Sequence, residues 1–535
     1  MQISKRSSLI HIGALALILL LALFVRSYHI SDTPAGIYPD EAVNAADAMY
    51  ANQTGEYLLF YENNYGREGL FINLQAFALK TFGTTLPALK FWSIIFGTLT
   101  VLGMYFLGNE LFRRRAAGLI AAFITATSFW AINFSRIGFR AIMTPLILSF
   151  SFYFFFRGLR TRKFVDFLWS GLFFGLGLHT YIAFRLAPLI IILILPALIL
   201  SYENFLRRYW KHGMMFVFGA FIAAAPMFYY FFIEHPGSFA SRSSAVSVFS
   251  PEINHGDLLG TLAKTVTLSL IKYNFWGDQN WRHNYPPYPI LDPIVGALFL
   301  AGFLFVVWQT GVLISRRLFR HDRDTQLVRN TFLLGSFFVM LMPEFLTNEG
   351  LPHALRSIGT QMPVFLMATF PALWIAKHGI ATRYTKRTMF LSALLILLIA
   401  SAGINLTKYF VYFAHSPSQM NSFALNERNI AEYLLSLPEE TNKYVVSGDR
   451  SRIIGNKLPI NAQPIVFLTN GKIKNLTWLI PDIDATISRH NSVIAFISRD
   501  DQIITNILAR SPGAKVIDID LHPGTQSAFT LIRLP

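Results

Sequence analysis

The chain has 535 residues, 53% of them hydrophobic and only 14% charged, with a mean hydropathy of +0.43. Soluble domains carry nearer a quarter charged residues, so the composition reads as a membrane protein, and fifty Phe and nine Trp suit lipid contact and interfacial belts. The absence of cysteine excludes disulfides, thiolate metal sites and a Cys nucleophile, while a net charge of +16 acquires meaning only from where the charge lies.

The first segment, KRSS followed by LIHIGALALILLLALFV, combines a charged start with an apolar run of spanning length. With no small-residue cleavage site after it, it reads as a retained signal-anchor helix. Hydropathy then marks about eleven spans in all. They fall near 8–25, 88–108, 116–133, 141–156, 166–181, 183–201, 213–233, 290–314, 327–346, 358–376 and 388–407. Alternate connections are basic: Lys5 and Arg6; Arg113, Arg114 and Arg115; Arg157, Arg160, Arg162 and Lys163. Next come Arg207, Arg208 and Lys211, then Arg316, Arg317, Arg320 and Arg323, and last Lys377, Arg383, Lys386 and Arg387. This unbroken alternation predicts a multi-pass plasma-membrane protein with a cytoplasmic N-terminus and an extracytoplasmic C-terminus. Topology and anionic lipid account for the surplus charge, which leaves no case for nucleic-acid binding.

Three outer segments are long, and the transmembrane domain is expected over 1–407. Within the first, 26–87, GLFINLQAFALKTFG has apolar residues at helical spacing and is expected to lie along the interface. The second, 234–289, is polar and ends in YNFWGDQNWRHNYPPYP, the composition of an ordered surface loop. The third, 408–535, changes character. NERNIAEYLLSL and DDQIITNILAR read as helices; KYVVSG, PIVFL, NSVIAFIS, AKVIDIDL and AFTLIRL read as strands. This alternation predicts a small extracytoplasmic α/β domain without a phosphate-binding fingerprint.

Chemistry is suggested where charge stands against this background. Asp40 and Glu41 are adjacent in GIYPDEA, just after the first span, where paired acids suggest proton abstraction, cation binding or a salt link. Pro39-Asp40-Glu41 before AVNAADAMYA also suits the first turn of a helix, and both readings can hold together. Arg67 and Glu68 follow in NYGREGLF, either as a loop ion pair or as partners of the Asp40 site. Asp40, Glu41 and Glu68 are candidate oxygen ligands for a divalent metal ion, though no spacing rule requires one. Outer span ends carry Arg136 and Arg140, His179 and Arg185, and His353 and Arg356. As a set these can converge on an anion, phosphate above all; singly, each can snorkel to headgroups. Glu344 and Glu349 are placed to hold the last two, while His29, Asp32 and Asp47 carry no assignment, and His283 reads more readily as loop structure than as a ligand contact.

In order and spacing these residues resemble the GT-C superfamily of polytopic glycosyltransferases, and within it the dolichyl-phosphate-mannose protein mannosyltransferases and the lipid A aminoarabinose transferases. The likeness runs from one span, through an outer loop opening on Asp-Glu, to an acidic turn before an apolar helix, Arg67-Glu68-Gly69-Leu70-Phe71. It covers about 1–200 well and continues to PHALRSIGTQMPVFLMATFPALW near 376. Family members often carry Pro-Pro-Leu or Lys-Pro-Pro where this chain has Gly69-Leu70. With the hydropathy count, this gives a GT-C-like α-helical polytopic membrane fold of about eleven transmembrane helices; the resemblance implies a polyprenyl-phosphate-linked sugar as donor and an outward-facing site, with a protein, lipid or glycan acceptor. It also implies Asp40 as the catalytic carboxylate, with Glu41 and Glu68 as neighbours. A lipid phosphate is a good leaving group and needs cations rather than a proton donor, whereas the acceptor hydroxyl needs a base. Two other readings compete. A transporter or flippase of a lipid-linked or anionic solute would need ionisable residues at mid-membrane, whereas these sit at span ends. A non-catalytic scaffold would tolerate neutral first-loop acids.

Overall fold

A computed structural model describes residues 2–237, 239, 247–381, 384–447, 452–479, 487, 490–522 and 527–535, with side chains outside 2–8, 375–388 and 390. Of the basic clusters, Lys5, Arg6, Lys377, Arg383, Lys386 and Arg387 lie outside those side chains. In chain order the elements begin with α1 (Gln2–Ser27), α2 (Pro39–Thr54), β1 (Phe60–Tyr61), β2 (Arg67–Glu68), α3 (Gly69–Phe82) and α4 (Leu86–Phe112). They continue with α5 (Arg115–Thr127), α6 (Phe129–Ser135), α7 (Met143–Thr161), α8 (Phe164–Leu176), α9 (Pro188–Ser201) and α10 (Phe205–Tyr229). The chain forms two compact units, one of residues 1–28 and 93–409, the other of 29–92 and 410–535.

The first unit is helical. Each predicted span overlaps helix, the last four at Pro293–Arg320, Gln326–Phe345, Gln361–Ala381 and Tyr384–Thr407, while 116–133 is shared between α5 and α6. Among the described residues seven helices are long and apolar enough to cross a membrane, and eight if the bent pair α5–α6 is one span. This is a multi-pass membrane protein.

The span expected at 116–133 is broken at Ser128, where α5 and α6 meet at 61°. A break leaves orphan carbonyls on one side and orphan amides on the other. Here Arg26 of α1 donates to the Thr125 and Ala126 carbonyls at 3.1 Å each, and Asn405 Oδ1 accepts from the Phe129 amide at 3.0 Å. In return Arg136, just past α6, donates to the carbonyls of Val25 (2.7 Å) and Tyr28 (2.6 Å) at the end of α1. Arg26 thus caps the C-terminal end of α5 and Arg136 that of α1, where the carbonyl dipoles favour a cation.

The segment 234–289, expected as an outer loop, is less loop-like than its composition predicts. It contains a helix, Leu258–Ile271, whose Asp257 cap accepts from the Gly260 amide at 2.8 Å.

In the second unit, α2 turns Ala42, Ala45 and Met49 inward, against Ile72, Ala76 and Leu79 of α3 and Phe467 of the tail. The tail forms a five-stranded sheet: β3 (Asn442–Val446), β4 (Leu476–Leu479), β5 (Ser492–Phe496), β6 (Lys515–Ile519) and β7 (Phe529–Leu534). The spatial order is β4-β3-β5-β7-β6, with β4, β3 and β5 parallel and β7 antiparallel to both its neighbours. Val445, Val493, Ala495 and Leu531 face the helices Leu425–Ser436 and Gln463–Thr469; Val446, Ile494, Phe496 and Ile532 face the helix Asp501–Arg510. The alternation buries both faces.

PIVFL, expected as a strand, is the helix Gln463–Thr469. A five-residue apolar run does not reveal its period, and Pro464 in the first turn starts a helix readily. The strand β4, in NLTWL, was not anticipated, since only Leu479 of it is fully buried.

Candidate functional site

Asp40 and Glu41 occupy the first turn of α2, behind Pro39, as the helix-start reading expects. Glu41 is fully buried and Asp40 half-buried. Asp40, Asn44 and Asp47 are spaced i, i+4, i+7 and share one face of α2, opposite its apolar stripe. That face receives the turn of the β1–β2 hairpin. Asn64 Nδ2 donates to Asp40 Oδ1, and Asn63 Nδ2 donates to Asp47 Oδ1 at 2.6 Å. Arg67 donates to Asn44 Oδ1 and Asp47 Oδ2, and its Nε to the Asn63 carbonyl at 3.3 Å.

The turn runs through Asn64, Tyr65 and Gly66, all at positive φ. Gly69 follows at a point where an added Cβ would lie 2.0 Å from the Leu58 carbonyl oxygen. This close approach of the two backbones leaves room only for glycine at position 69. Glu68 is buried at the start of α3.

Asp47 carried no assignment from sequence, yet it is the counter-ion of Arg67. Its spacing from Asp40 was the available signal. Burial pushes the Asp47 carboxyl up, against the opposing pull of the Arg67 charge and the Asn63 hydrogen bond. Burial likewise pushes the neighbouring Tyr61 hydroxyl up to about 12. The result is a polar layer that fixes one face of Asp40 through Asn64 and leaves the residue half open.

Arg136, Arg140, His179, Arg185, His353 and Arg356 belong to the other unit. Arg136 is fully buried on the α1 carbonyls, with its guanidinium 5.3 Å from the centre of the Tyr409 ring. Arg140 is buried between the rings of Phe139 and Tyr181, at 5.5 and 5.4 Å. His179 Nε2 lies 2.8 Å from the Ala223 carbonyl oxygen. Arg356 pairs with Glu349 and donates to Thr347 Oγ1 at 2.6 Å. Glu344 Oε1 accepts from the His353 amide at 2.9 Å and pairs with the fully buried Lys272.

Arg185 differs in its surroundings. It lines an apolar cavity of about 470 Å³ together with Phe174, Phe184, Phe216 and Phe228. Its guanidinium lies 4.8 and 4.5 Å from the rings of Phe231 and Phe239, and it donates to the Phe239 carbonyl.

Among the described residues, one group of three His, Asp or Glu side chains brings a potential ligand atom from each within 4.8 Å of the others: Asp278, His283 and His353.

Residues 70–230 match the family model described as dolichyl-phosphate-mannose-protein mannosyltransferase. No curated protein matches the chain. Among solved structures the chain is similar to ArnT from Cupriavidus metallidurans bound to undecaprenyl phosphate, with a TM-score of 0.54 at 12% identity, covering 99% of this chain and 98% of that one. The apo state of the same protein gives 0.53 at 11% identity over the same shares. The Archaeoglobus fulgidus oligosaccharyltransferase, tethered to an acceptor peptide containing an NVT sequon, gives 0.51 at 16% identity over 86% of this chain and 63% of that one. Over its full length the chain is thus similar in fold to the membrane protein ArnT, and its residues 70–230 match the mannosyltransferase family model.

Proposed function

We propose that the chain transfers a sugar from a polyprenyl-phosphate donor to an acceptor hydroxyl on the outer face of the membrane, with Asp40 as the base. The observation that carries this reading is the Asp40 carboxylate itself, fixed at the first turn of α2 by Asn64, half open, in a chain with the GT-C fold. The acceptor oxygen attacks the anomeric carbon as the carbon–oxygen bond to phosphate breaks. The bonding pair leaves with the phosphate and the hydroxyl proton passes to Asp40. Glu41 and Glu68 are the neighbouring acids, and Arg67 fixes the hairpin that carries Asn64.

The leaving phosphate needs cations. Arg185 is the favoured contact, because its cavity pairs one guanidinium with an aromatic and aliphatic lining, which suits an isoprenoid chain ending in phosphate. Arg136 and Arg356 are read as framework, since carbonyls and Glu349 engage their guanidinium groups. The donor class is supported by the undecaprenyl phosphate in the ArnT structure, and a macromolecular acceptor by the peptide on the oligosaccharyltransferase. The alternating basic loops support a cytoplasmic N-terminus and an extracytoplasmic tail.

The test is mass spectrometry of products after the reconstituted protein meets a panel of polyprenyl-phosphate sugars and candidate acceptors. A new glycosidic product with wild type and none with D40N is expected. Solute accumulation in proteoliposomes with no such product would move the chain to transport.

A further inference from the structure

We infer that His283 and His353, with Asp278 behind His283, form a binding site for one divalent transition-metal ion of the zinc class, built entirely within the helical unit. One potential ligand atom from each of these three residues lies within 4.8 Å of the other two. Asp278 Oδ2 is 3.0 Å from His283 Nδ1. A carboxylate accepting from Nδ1–H fixes the tautomer and leaves Nε2 as the ring's electron-pair donor, the usual arrangement behind a metal-bound histidine. His283 Nε2 is buried and has no hydrogen-bond partner, in a residue only 3% exposed. A buried acceptor without a donor costs about 1–3 kcal/mol, which a metal ion at that nitrogen would offset. The His353 ring stands beside it, with centroids 4.7 Å apart.

The surrounding contacts hold this geometry in advance. Trp130 Nε1 donates to the Ala354 carbonyl at 3.2 Å and Asn133 Nδ2 to the Arg282 carbonyl at 2.9 Å, so α6 grips the residue next to each histidine. Asp278 Oδ2 also accepts from the Ala354 amide at 2.7 Å. Phe134 covers His283, ring to ring at 5.7 Å. Two imidazoles and no thiolate select zinc, cobalt or nickel over calcium and magnesium, which prefer all-oxygen sites. The ion would tie the segment after helix Leu258–Ile271 to the segment after helix Gln326–Phe345, close to where Lys272 pairs with Glu344 in the last turn of that second helix. Asp278 is a positioning residue in this site.

The experiment uses the full-length chain in detergent, free of any affinity tag, stripped with a chelator and then given Zn²⁺ alone. Wild type is expected to retain about one zinc ion per chain after desalting, and H283A and H353A less than about a fifth of that. D278N keeps both rings and is expected to bind about 10–100-fold more weakly. Zinc should raise the thermal midpoint of wild type but not of H283A. Wild type that retains no zinc, or H283A that retains as much as wild type, overturns the inference. Should the histidine variants fail to fold, Co²⁺ added to stripped wild type decides: visible bands of imidazole ligation support the site, and a spectrum matching the aquo ion overturns it.

Discussion

Buried arginine is held in contrasting ways at Arg67 in one unit and at Arg26 and Arg136 in the other. In the unit that carries Asp40, Arg67 is surrounded by side chains: a carboxylate from Asp47, an amide from Asn44 and one carbonyl. In the helical unit, Arg26 and Arg136 are met by backbone carbonyls at helix ends. The first arrangement uses a full opposite charge and aims neighbouring groups; the second uses helix dipoles and joins helices. A buried charge pair is expensive to break from one side, while a guanidinium on several carbonyls distributes its contribution.

Four experiments press on this contrast. The largest effect is expected for Asp40→Asn: transfer should fall at least about 100-fold while the thermal midpoint stays near wild type. Unchanged turnover in proteoliposomes would remove Asp40 from the chemistry and leave the polar layer a purely structural device. Asp47→Ala strands Arg67 and should cost about 3–5 kcal/mol, read as a lowered midpoint and faster proteolysis near residues 62–66. The double variant D47L/R67M, which removes both charges, should recover most of that loss.

Arg26→Met withdraws donors from the ends of α1 and α5 and should cost about 2 kcal/mol. A loss as large as that of Asp47→Ala would erase the distinction between the two arrangements. The smallest effect concerns Glu427, in the tail helix, whose carboxyl is raised by burial from 4.5 to about 7. The folded state then holds this proton more tightly than the unfolded state does. Its stabilising contribution is complete below about pH 4.5 and fades as the pH rises through 7. Glu427→Gln should flatten the fall in thermal midpoint across that window by a few degrees.

The framework was legible because hydropathy and loop charge are local properties, readable in a window of one span. The apolar stretches fall in helical segments, though one of them is broken in two, and the Asp-Glu pair lies in a helix first turn, as Pro39 suggested. The site was legible only as residue types. Asp40 stood out as a charge in an apolar chain, whereas Asp47 looked incidental because its partner lies twenty residues away across a hairpin. The break at Ser128 was illegible because no Pro or Gly marks it; remote groups on Arg26 and Asn405 satisfy it. The run 464–468 was misread because five apolar residues fit either period.

By itself, then, the sequence marked this chain as a multi-pass membrane protein, located its apolar segments, and gave an expected sidedness and the acid most worth testing. Each of these follows from transfer free energies that neighbouring residues set. Tertiary structure alone decided that the first outer segment and the tail form one compact unit, that Asp47 anchors the hairpin behind Asp40, and that Asp278, His283 and His353 come together. Those outcomes depend on which distant polar groups satisfy one another when burial forbids water, and a window along the chain does not contain both partners.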